Sequence, residues 1–432
     1  MSRFPAVLAV TTATALISLA AVPQTAPKQV VKPPIAQAWI DVATFSGMNM
    51  GMGAGGGDMM SRTLSSLMGG GHGAKAEFGY TQTGTAGRWM DVTLYTSRNT
   101  NLAEALQNVP AGTGLAPTLK LQSPEKAKPA PTSDDEPSDW NPEPPKGKLV
   151  MYWGCSETVR PGQPKVVDLS TATLGELAKF FESRRATKRG AHLAVGRPVW
   201  PSRDDERALG DGASIAGEHA FVAAGVPEDF KFTIPAAQDI MPPMQVRQSD
   251  AGTARILEWT AIPYARAYFL GTMGGLPEGQ EGMVIWTSSE LPDSGMGLFD
   301  YQTNAAVDKW LKDKVLLPPS VTRCAVPNEA GGEGMLRAIA YGTELNMAYP
   351  PRPTDPAIAW EPDWNVKIRV KSMATTMLGM SGMDGMEEID DTSATDAPAP
   401  DGEGAPPAPE PKKKKKSMFD TLKDVAKSIP GT

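Results

Sequence analysis

The clearest pattern in the chain is an alternation of apolar and polar residues, broken by Gly and Pro, over residues 255–346. Trp and β-branched residues are frequent within it, especially at 256–259, 265–270 and 321–327. A period of two is typical of strands with one buried face, and Gly/Pro breaks are typical of the turns between them. The segment therefore predicts sheets packed face to face as a β-sandwich.

The same pattern predicts further elements on both sides of this segment. Strands are expected at 38–43, 148–157 and 364–371, and at 88–97, where Met90, Val92 and Leu94 would share one face. Helix spacing of apolar residues predicts helices at 170–185 and 303–315. A brief helix is also expected at 102–108, because Asn101 would cap it and Pro110 would end it.

Breaks in composition divide the chain and predict a mostly β protein with two β-sandwich-like domains and a disordered C-terminal tail. The second domain would carry the 303–315 helix as an insertion. The predicted parts are a signal peptide (1–21), a Pro-rich linker (22–35), an N-terminal β domain (36–170) with a Gly/Met loop (47–73) and a Pro-rich loop (123–146), a helix and irregular connector (171–217), the second sandwich (218–372) and a low-complexity tail (373–432).

The second predicted domain resembles a fibronectin type III module over about 253–372. Leu257-Glu258-Trp259, followed by Ala265 and Tyr268, is similar to the B and C strands of that family. Residues 321–327 resemble its E strand, and 336–341 resemble its F strand, although Met335 stands where the family has a Tyr. The resemblance implies a sandwich fold, and a sandwich fold carries no function by itself.

The N-terminus predicts export. Arg3 precedes an apolar run at 4–22, and small residues around Ala20 are suitable for cleavage near that position. This arrangement is typical of a secretory signal, the alternative being a retained N-terminal anchor. Taken whole, the chain also resembles exported proteins of Gram-negative bacteria, and we expect the mature protein to be periplasmic or secreted.

Charge and catalytic motifs narrow the function classes. The net charge of −7 gives the chain no general electrostatic attraction to nucleic acid, so no nucleic-acid partner is expected. The three histidines, His72, His192 and His219, are widely separated, and the sequence contains no P-loop, nucleophile elbow or dinucleotide fingerprint. An enzyme with a site at the domain interface stays open as an alternative, because folded sites need not leave motifs.

Methionine is unevenly distributed, with 22 residues concentrated partly in two Gly-rich tracts. Thioether sulfur is a soft ligand that suits Cu(I), and Gly lets a loop wrap closely around an ion. The tracts therefore predict a copper site, the alternative being flexible segments or Met side chains that fill irregular apolar surface. The candidate ligands are Met48, Met50, Met52 and His72 in the first tract and Met377, Met380, Met383 and Met386 in the second.

The two cysteines, Cys155 and Cys324, fall in different predicted domains. Export would permit a disulfide between them, but sequence cannot show the required approach of the two Cβ atoms. The sequence interpretation favours two small buried residues on separate strands.

The C-terminus combines an acidic stretch, five consecutive lysines from Lys412 to Lys416, and a helix-patterned segment at 418–429. A lysine run beside an amphipathic helix is able to bind an anionic surface or the groove of a partner protein. We therefore expect an exported, non-catalytic binding or scaffold protein of the cell envelope, with copper binding as the first alternative.

Overall fold

The computed structural model describes residues 29–48, 78–125, 147–184, 190–202, 205, 207–277, 279–331 and 334–379. Strands hold 42% of the described residues and helices 10%, which confirms a mostly β protein. The strands are β1 (Ala36–Gly47), β2 (Gly87–Thr96), β3 (Glu104–Asn108), β4 (Thr118–Gln122), β5 (Lys148–Trp153), β6 (Lys165–Asp168), β7 (Val199–Trp200), β8 (Gly217–Val222), β9 (Lys231–Ile234), β10 (Val246–Asp250), β11 (Ala254–Trp259), β12 (Ala267–Gly275), β13 (Gly282–Thr287), β14 (Arg323–Pro327), β15 (Gly334–Tyr341), β16 (Leu345–Tyr349) and β17 (Trp364–Leu378). The helices are α1 (Tyr80–Thr83), α2 (Leu174–Phe180), α3 (Asn304–Lys312) and α4 (Asn328–Gly331).

The strands form one large sheet and one small sheet. The large sheet has fourteen strands in the order β6-β5-β13-β12-β15-β17-β1-β2-β7-β4-β3-β8-β9, and β16 pairs with β17 beside this path. The small sheet has the order β10-β11-β14. Since β5 pairs with β13 and β1 with β17, the large sheet contains strands from both predicted domains. The division into two separate sandwiches is therefore not confirmed.

The centre of the large sheet is the parallel pair β1 and β17, which runs in register from Ala36 opposite Trp364 to Gly47 opposite Thr375. Alternation predicts both strands correctly. The last strand, however, continues to Leu378, so residues 373–378 of the predicted tail belong to the sheet. Strand β17 extends to Leu378 because its C-terminal half, from Lys371 to Leu378, pairs with β15, whereas its pairing with β1 ends at Thr375. The rest of that tail, the Lys run included, lies outside the described residues.

The main hydrophobic core lies between the two sheets. Leu257 and Trp259 of the small sheet belong to the same buried cluster as Tyr268, Leu336 and Ile368 of the large one. The rings of Trp259 and Tyr268 meet edge to face at 5.5 Å between centroids. Two layers of sheet thus bury their facing apolar positions, as aligned sheet packing requires.

A disulfide between Cys155 and Cys324 connects these layers, so the expectation of two separate buried cysteines is wrong. Cys155 follows β5 in the large sheet, and Cys324 lies on β14 in the small one. The backbone N–H of Ser156 donates to the carbonyl of Ala325, which brings the two segments together, and the Cα atoms of the cysteines are 5.0 Å apart.

The helix predicted at 303–315 is confirmed as α3. The Thr303 hydroxyl accepts a hydrogen bond from the N–H of Ala306 and caps it, and Val307 and Trp310 are buried against the large sheet. The helix predicted at 170–185 is also present, but it is shorter, and a capping box between Thr173 and Glu176 starts it. Among the described helices, none combines the length and apolar character needed to cross a bilayer.

The helix expected at 102–108 is wrong, because these residues contain β3. Burial alternates along the strand, with Ala105 and Gln107 inside and their neighbours outside, and β3 pairs with both β4 and β8. Two sheet partners supply more hydrogen bonds than an isolated turn of helix, which is only marginally stable.

Candidate functional site

The structure describes two of the candidate copper ligands, Met48 and Met377. Met48 follows β1 and is half-exposed, and its backbone N–H donates to the carbonyl of Thr375 on β17 at 2.8 Å. Met377 lies on β17 and is partly buried opposite Met335 of β15. The two Met tracts therefore begin at the same end of the central strand pair. The remaining candidates lie outside the described residues: Met50, Met52, His72, Met380, Met383 and Met386.

The outer face of the large sheet, opposite the main core, carries a hollow, a buried ion pair and an apolar cluster. The odd-numbered residues of β1 point to this face, since side chains alternate along a strand. Along β1 the face changes from an open hollow at Trp39, through a buried ion pair at Asp41, to an apolar cluster under α3 at Phe45. The residues opposite them on β17 are Lys367, Arg369 and Met373.

The ion pair of Asp41 and Arg369 is almost completely buried, with 1% and 6% of each residue exposed. The Nε of Arg369 donates to Oδ1 of Asp41 at 2.6 Å, and Nη2 donates to Oδ2 at 2.5 Å. This bidentate geometry satisfies both carboxylate oxygens, as a buried charge requires. The Tyr301 ring covers the guanidinium at 4.3 Å from its centroid.

Two more charged side chains lie close to this pair. Asp91, opposite Asp41 on β2, accepts hydrogen bonds from the backbone N–H groups of Gly79 and Thr81 and from the Thr81 hydroxyl. Burial, aided by the charge of Asp41, raises the pKa of Asp91 to about 6 despite these bonds. Lys371 on β17 has its ammonium over the Tyr301 ring at 4.4 Å, and burial lowers its pKa to about 8.

The buried ion pair also holds a loop that forms one wall of the hollow. The backbone N–H of Ala191 donates to Oδ2 of Asp41 at 3.1 Å. A Cβ on Gly190 would approach Nη2 of Arg369 to 1.9 Å, so only glycine lets this loop lie directly on the guanidinium. His192 follows at once, and its side chain lines the hollow. The position of the wall thus depends on a salt bridge beneath it.

The hollow has a volume of about 720 Å³, which lies within the ~300–1,000 Å³ typical of small-ligand sites. Its floor consists of two rows of side chains across β16, β17 and β1. The rows are Ala348, Asn365 and Gln37, and then Asn346, Lys367 and Trp39.

The walls of the hollow are cationic and aromatic. Arg197 lies over the rings of Tyr95 and Trp39, at 4.6 and 5.8 Å from their centroids, and its Nη1 donates to Nε2 of His192 at 3.1 Å. On the other side, Arg352 lies over the Trp360 ring at 5.5 Å. The described residues that line the hollow include no Asp or Glu. Such a surface is able to attract and orient an anion.

A second hollow of about 850 Å³ lies at the β5–β6 end of the sheet. Its lining is mainly apolar, with Val150, Tyr152, Val166, Leu276 and Val284 as its main side chains. It has no comparable set of cations, so it gives less indication of a ligand class.

Sequence reasoning missed the residues of the first hollow. The hollow is lined by three segments that are distant in sequence, which contribute Trp39, Arg197 and Arg352. Pairing of β1 with β17 forms the part of the sheet on which these segments meet. The only local signal is the Arg197-Pro198-Val199-Trp200-Pro201 stretch, a conspicuous mixture of charge and aromatic residues within a polar connector.

Within the described ranges, no group of three or more His, Cys, Asp or Glu side chains converges as the ligands of a metal ion would. Comparison with protein-family models found no match, and a comparison with curated proteins found none either.

Proposed function

We propose that the chain is an exported, non-catalytic binding protein of the cell envelope and that its ligand occupies the cationic hollow on the outer face of the large sheet. The observation that carries this proposal is the pair Arg197 and Arg352. Each guanidinium lies against an aromatic ring at the wall of an open cavity, and neither has a carboxylate partner among the described residues.

Two observations support export. The apolar N-terminal run fits a secretory signal, and the Cys155–Cys324 disulfide fits an oxidising compartment. A fibronectin type III-like sandwich is part of the proposal. Its support is that the predicted B and E strands, β11 and β14, pair in one sheet, while the predicted C and F strands, β12 and β15, pair in the other.

The binding function is tested by mass spectrometry under non-denaturing conditions on protein purified from the envelope of its producing cell. Wild-type protein should carry a small molecule, and the variant Ala348→Trp should lose it because an indole on the floor would fill the hollow. Val166→Trp, which narrows the second hollow instead, is the matched control. A molecule retained equally by all three proteins, or absent from wild type, would contradict the proposal.

The proposed partner surface at the C-terminus has its own test. Each lysine near an anionic surface contributes about 1 kcal/mol of attraction, so the five lysines from Lys412 to Lys416 should bring the protein to anionic envelope components at low salt. Deleting residues 412–432 should release the protein from envelope fractions. Replacing only the five lysines by Gln separates the contribution of charge from that of the 418–429 segment.

Copper binding is retained as a second candidate because Met48 and Met377, the first ligands of the two tracts, lie at the same end of β1 and β17. Among the described residues, the backbone of Met48 is thereby hydrogen-bonded to Thr375, two residues before Met377. A Cu(I) competition titration tests this with Met48, Met50 and Met52 changed to Ile, and separately with Met377 changed to Ile. Affinity equal to that of wild type in both variants would eliminate this candidate.

A further inference from the structure

We infer that the ligand of the cationic hollow is an acidic carbohydrate, meaning a sugar ring with a carboxylate substituent, either free or as a residue of an anionic glycan. The inference rests on the proposed binding function and assigns a chemical class to its ligand. Three features of the hollow support it, namely its unpaired arginines, its free amides and its indole rings.

The arginines supply the first argument. Seven of the thirteen arginines in the described ranges form ion pairs with a carboxylate: Arg88, Arg160, Arg184, Arg207, Arg266, Arg323 and Arg369. Arg197 instead is hydrogen-bonded through Nη1 to Nε2 of the His192 imidazole, and Arg352 donates through Nε to the amide oxygen of Gln29 at 2.6 Å. Each keeps further N–H groups and a full positive charge, which is the arrangement that binds a ligand carboxylate.

The amides supply the second argument. Gln37 and Asn365 are register partners on β1 and β17, so their side chains lie next to each other on the floor of the hollow. Both are partly exposed, and neither has a hydrogen-bond partner within the described part of the chain. An amide donates and accepts at once, and so does a hydroxyl group. Two adjacent free amides therefore match neighbouring hydroxyls of a sugar better than they match a purely apolar ring.

The indoles supply the third argument. Trp360 and Trp39 both line the hollow, but Trp360 is the more accessible ring, because Trp39 is only 9% exposed and lies under the Arg197 guanidinium. An indole offers a flat apolar surface that packs against the C–H face of a pyranose ring, while the polar groups of the same ring bind elsewhere. Lys367, by contrast, is already paired with Glu344 at 3.0 Å, so we assign it no part in binding the anion.

Isothermal titration calorimetry on the full chain tests the inference, with galacturonic acid, a galacturonic acid trimer and galactose as probes. The acids should bind at least about tenfold more tightly than galactose, as a charge-assisted hydrogen bond implies. Their affinity should also fall as salt rises. A preference for the trimer identifies a glycan as the source of the ligand, whereas equal affinity per site identifies the free sugar acid.

Variants distinguish the roles of the groups. Arg352→Gln and Arg197→Gln should reduce the affinity for galacturonic acid about tenfold and leave that for galactose unchanged. The double variant Gln37→Leu and Asn365→Leu should weaken both sugars. Lys179→Gln removes an exposed cation on α2, remote from the hollow, and should change neither affinity. Arg352 is exposed, so its replacement is not expected to affect folding.

The outcomes separate this inference from the function on which it rests. If galacturonic acid fails to bind, or binds no better than galactose, the acidic-carbohydrate assignment is overturned. Should the Ala348→Trp variant nevertheless lose a different bound molecule, the hollow remains a binding site for another class. If galacturonic acid does not bind and the Ala348→Trp variant loses no bound molecule either, both the assignment and the proposed function fail.

Discussion

Asp41 and Arg369 lie opposite each other on the parallel strands β1 and β17 and form a bidentate ion pair that is closed to solvent. The two strands are separated by most of the chain length, so this contact joins the N-terminal and C-terminal parts of the sheet. Asp41 also accepts a hydrogen bond from the backbone N–H of Ala191, and this bond fixes the loop that leads to His192 and Arg197. A buried salt bridge thus positions one wall of the exposed hollow.

Breaking the pair from one side should be strongly destabilising. Asp41→Asn leaves the Arg369 guanidinium buried without a counter-charge, and we expect the free energy of unfolding to fall by about 3–5 kcal/mol. Replacing both residues together, as Asp41→Leu with Arg369→Met, should cost less because no uncompensated charge remains. Urea denaturation followed by tryptophan fluorescence measures both values.

Gly190→Ala should displace the loop above the ion pair. The added Cβ would lie 1.9 Å from Nη2 and 2.7 Å from Cζ of Arg369, so either the loop or the guanidinium must move. Overpacking of this kind costs about 1–3 kcal/mol of stability. We also expect weaker ligand binding in the hollow, because His192 and Arg197 would shift with the loop. Gly210→Ala, whose Cβ would meet nothing within 4 Å, is the control and should change neither quantity.

Local sequence pattern was sufficient to predict individual elements of this fold. Alternation identifies β1, β2 and the last strand because each has one face against a continuous apolar core. Helix α3 was predicted correctly because Thr303 caps it and Val307 and Trp310 share a face. Pairing was not predictable, since nothing local indicates that β1 lies beside β17 or that β5 lies beside β13.

The burial of Asp41 and Arg369 was not predictable from the sequence either. Because side chains alternate along a strand, the sequence pattern predicts that Asp41 and Arg369 face solvent. They are buried because a loop from 190 onward and Tyr301 cover them, which is a tertiary effect without a local signature. The disulfide was missed for a related reason, since the approach of Cys155 to Cys324 depends on how the two sheets pack.

Lys371 should give the protein an unusual pH dependence in the alkaline range. Burial lowers its folded-state pKa from 10.5 to about 8, so between these values the unfolded chain binds more protons than the folded one. Stability therefore rises with pH across this window, by an amount on the order of 3 kcal/mol. Lys371→Met should abolish this rise and increase the free energy of unfolding at pH 7.

The measurement is a series of urea denaturation curves from pH 7 to pH 10 for wild type and variant, compared as differences at each pH. Subtraction removes the contribution of groups that titrate alike in both proteins. Lys179→Met is the matched control, because this lysine is exposed and its replacement should leave the slope unchanged. A difference between wild type and Lys371→Met that does not vary with pH would contradict the assignment of this titration to Lys371.

The Cys155–Cys324 disulfide should contribute substantially to stability because it closes a loop with a sequence separation of 169 residues and connects the two sheets. A crosslink over so long a loop restricts the unfolded chain strongly, and its removal typically costs about 2–5 kcal/mol. The double variant Cys155→Ala and Cys324→Ala should therefore unfold at lower urea concentration than wild type. Dithiothreitol should lower the stability of wild type to that of the variant and leave the variant unaffected. If wild type is equally stable with and without reductant, the bridge does not stabilise the contact between the sheets.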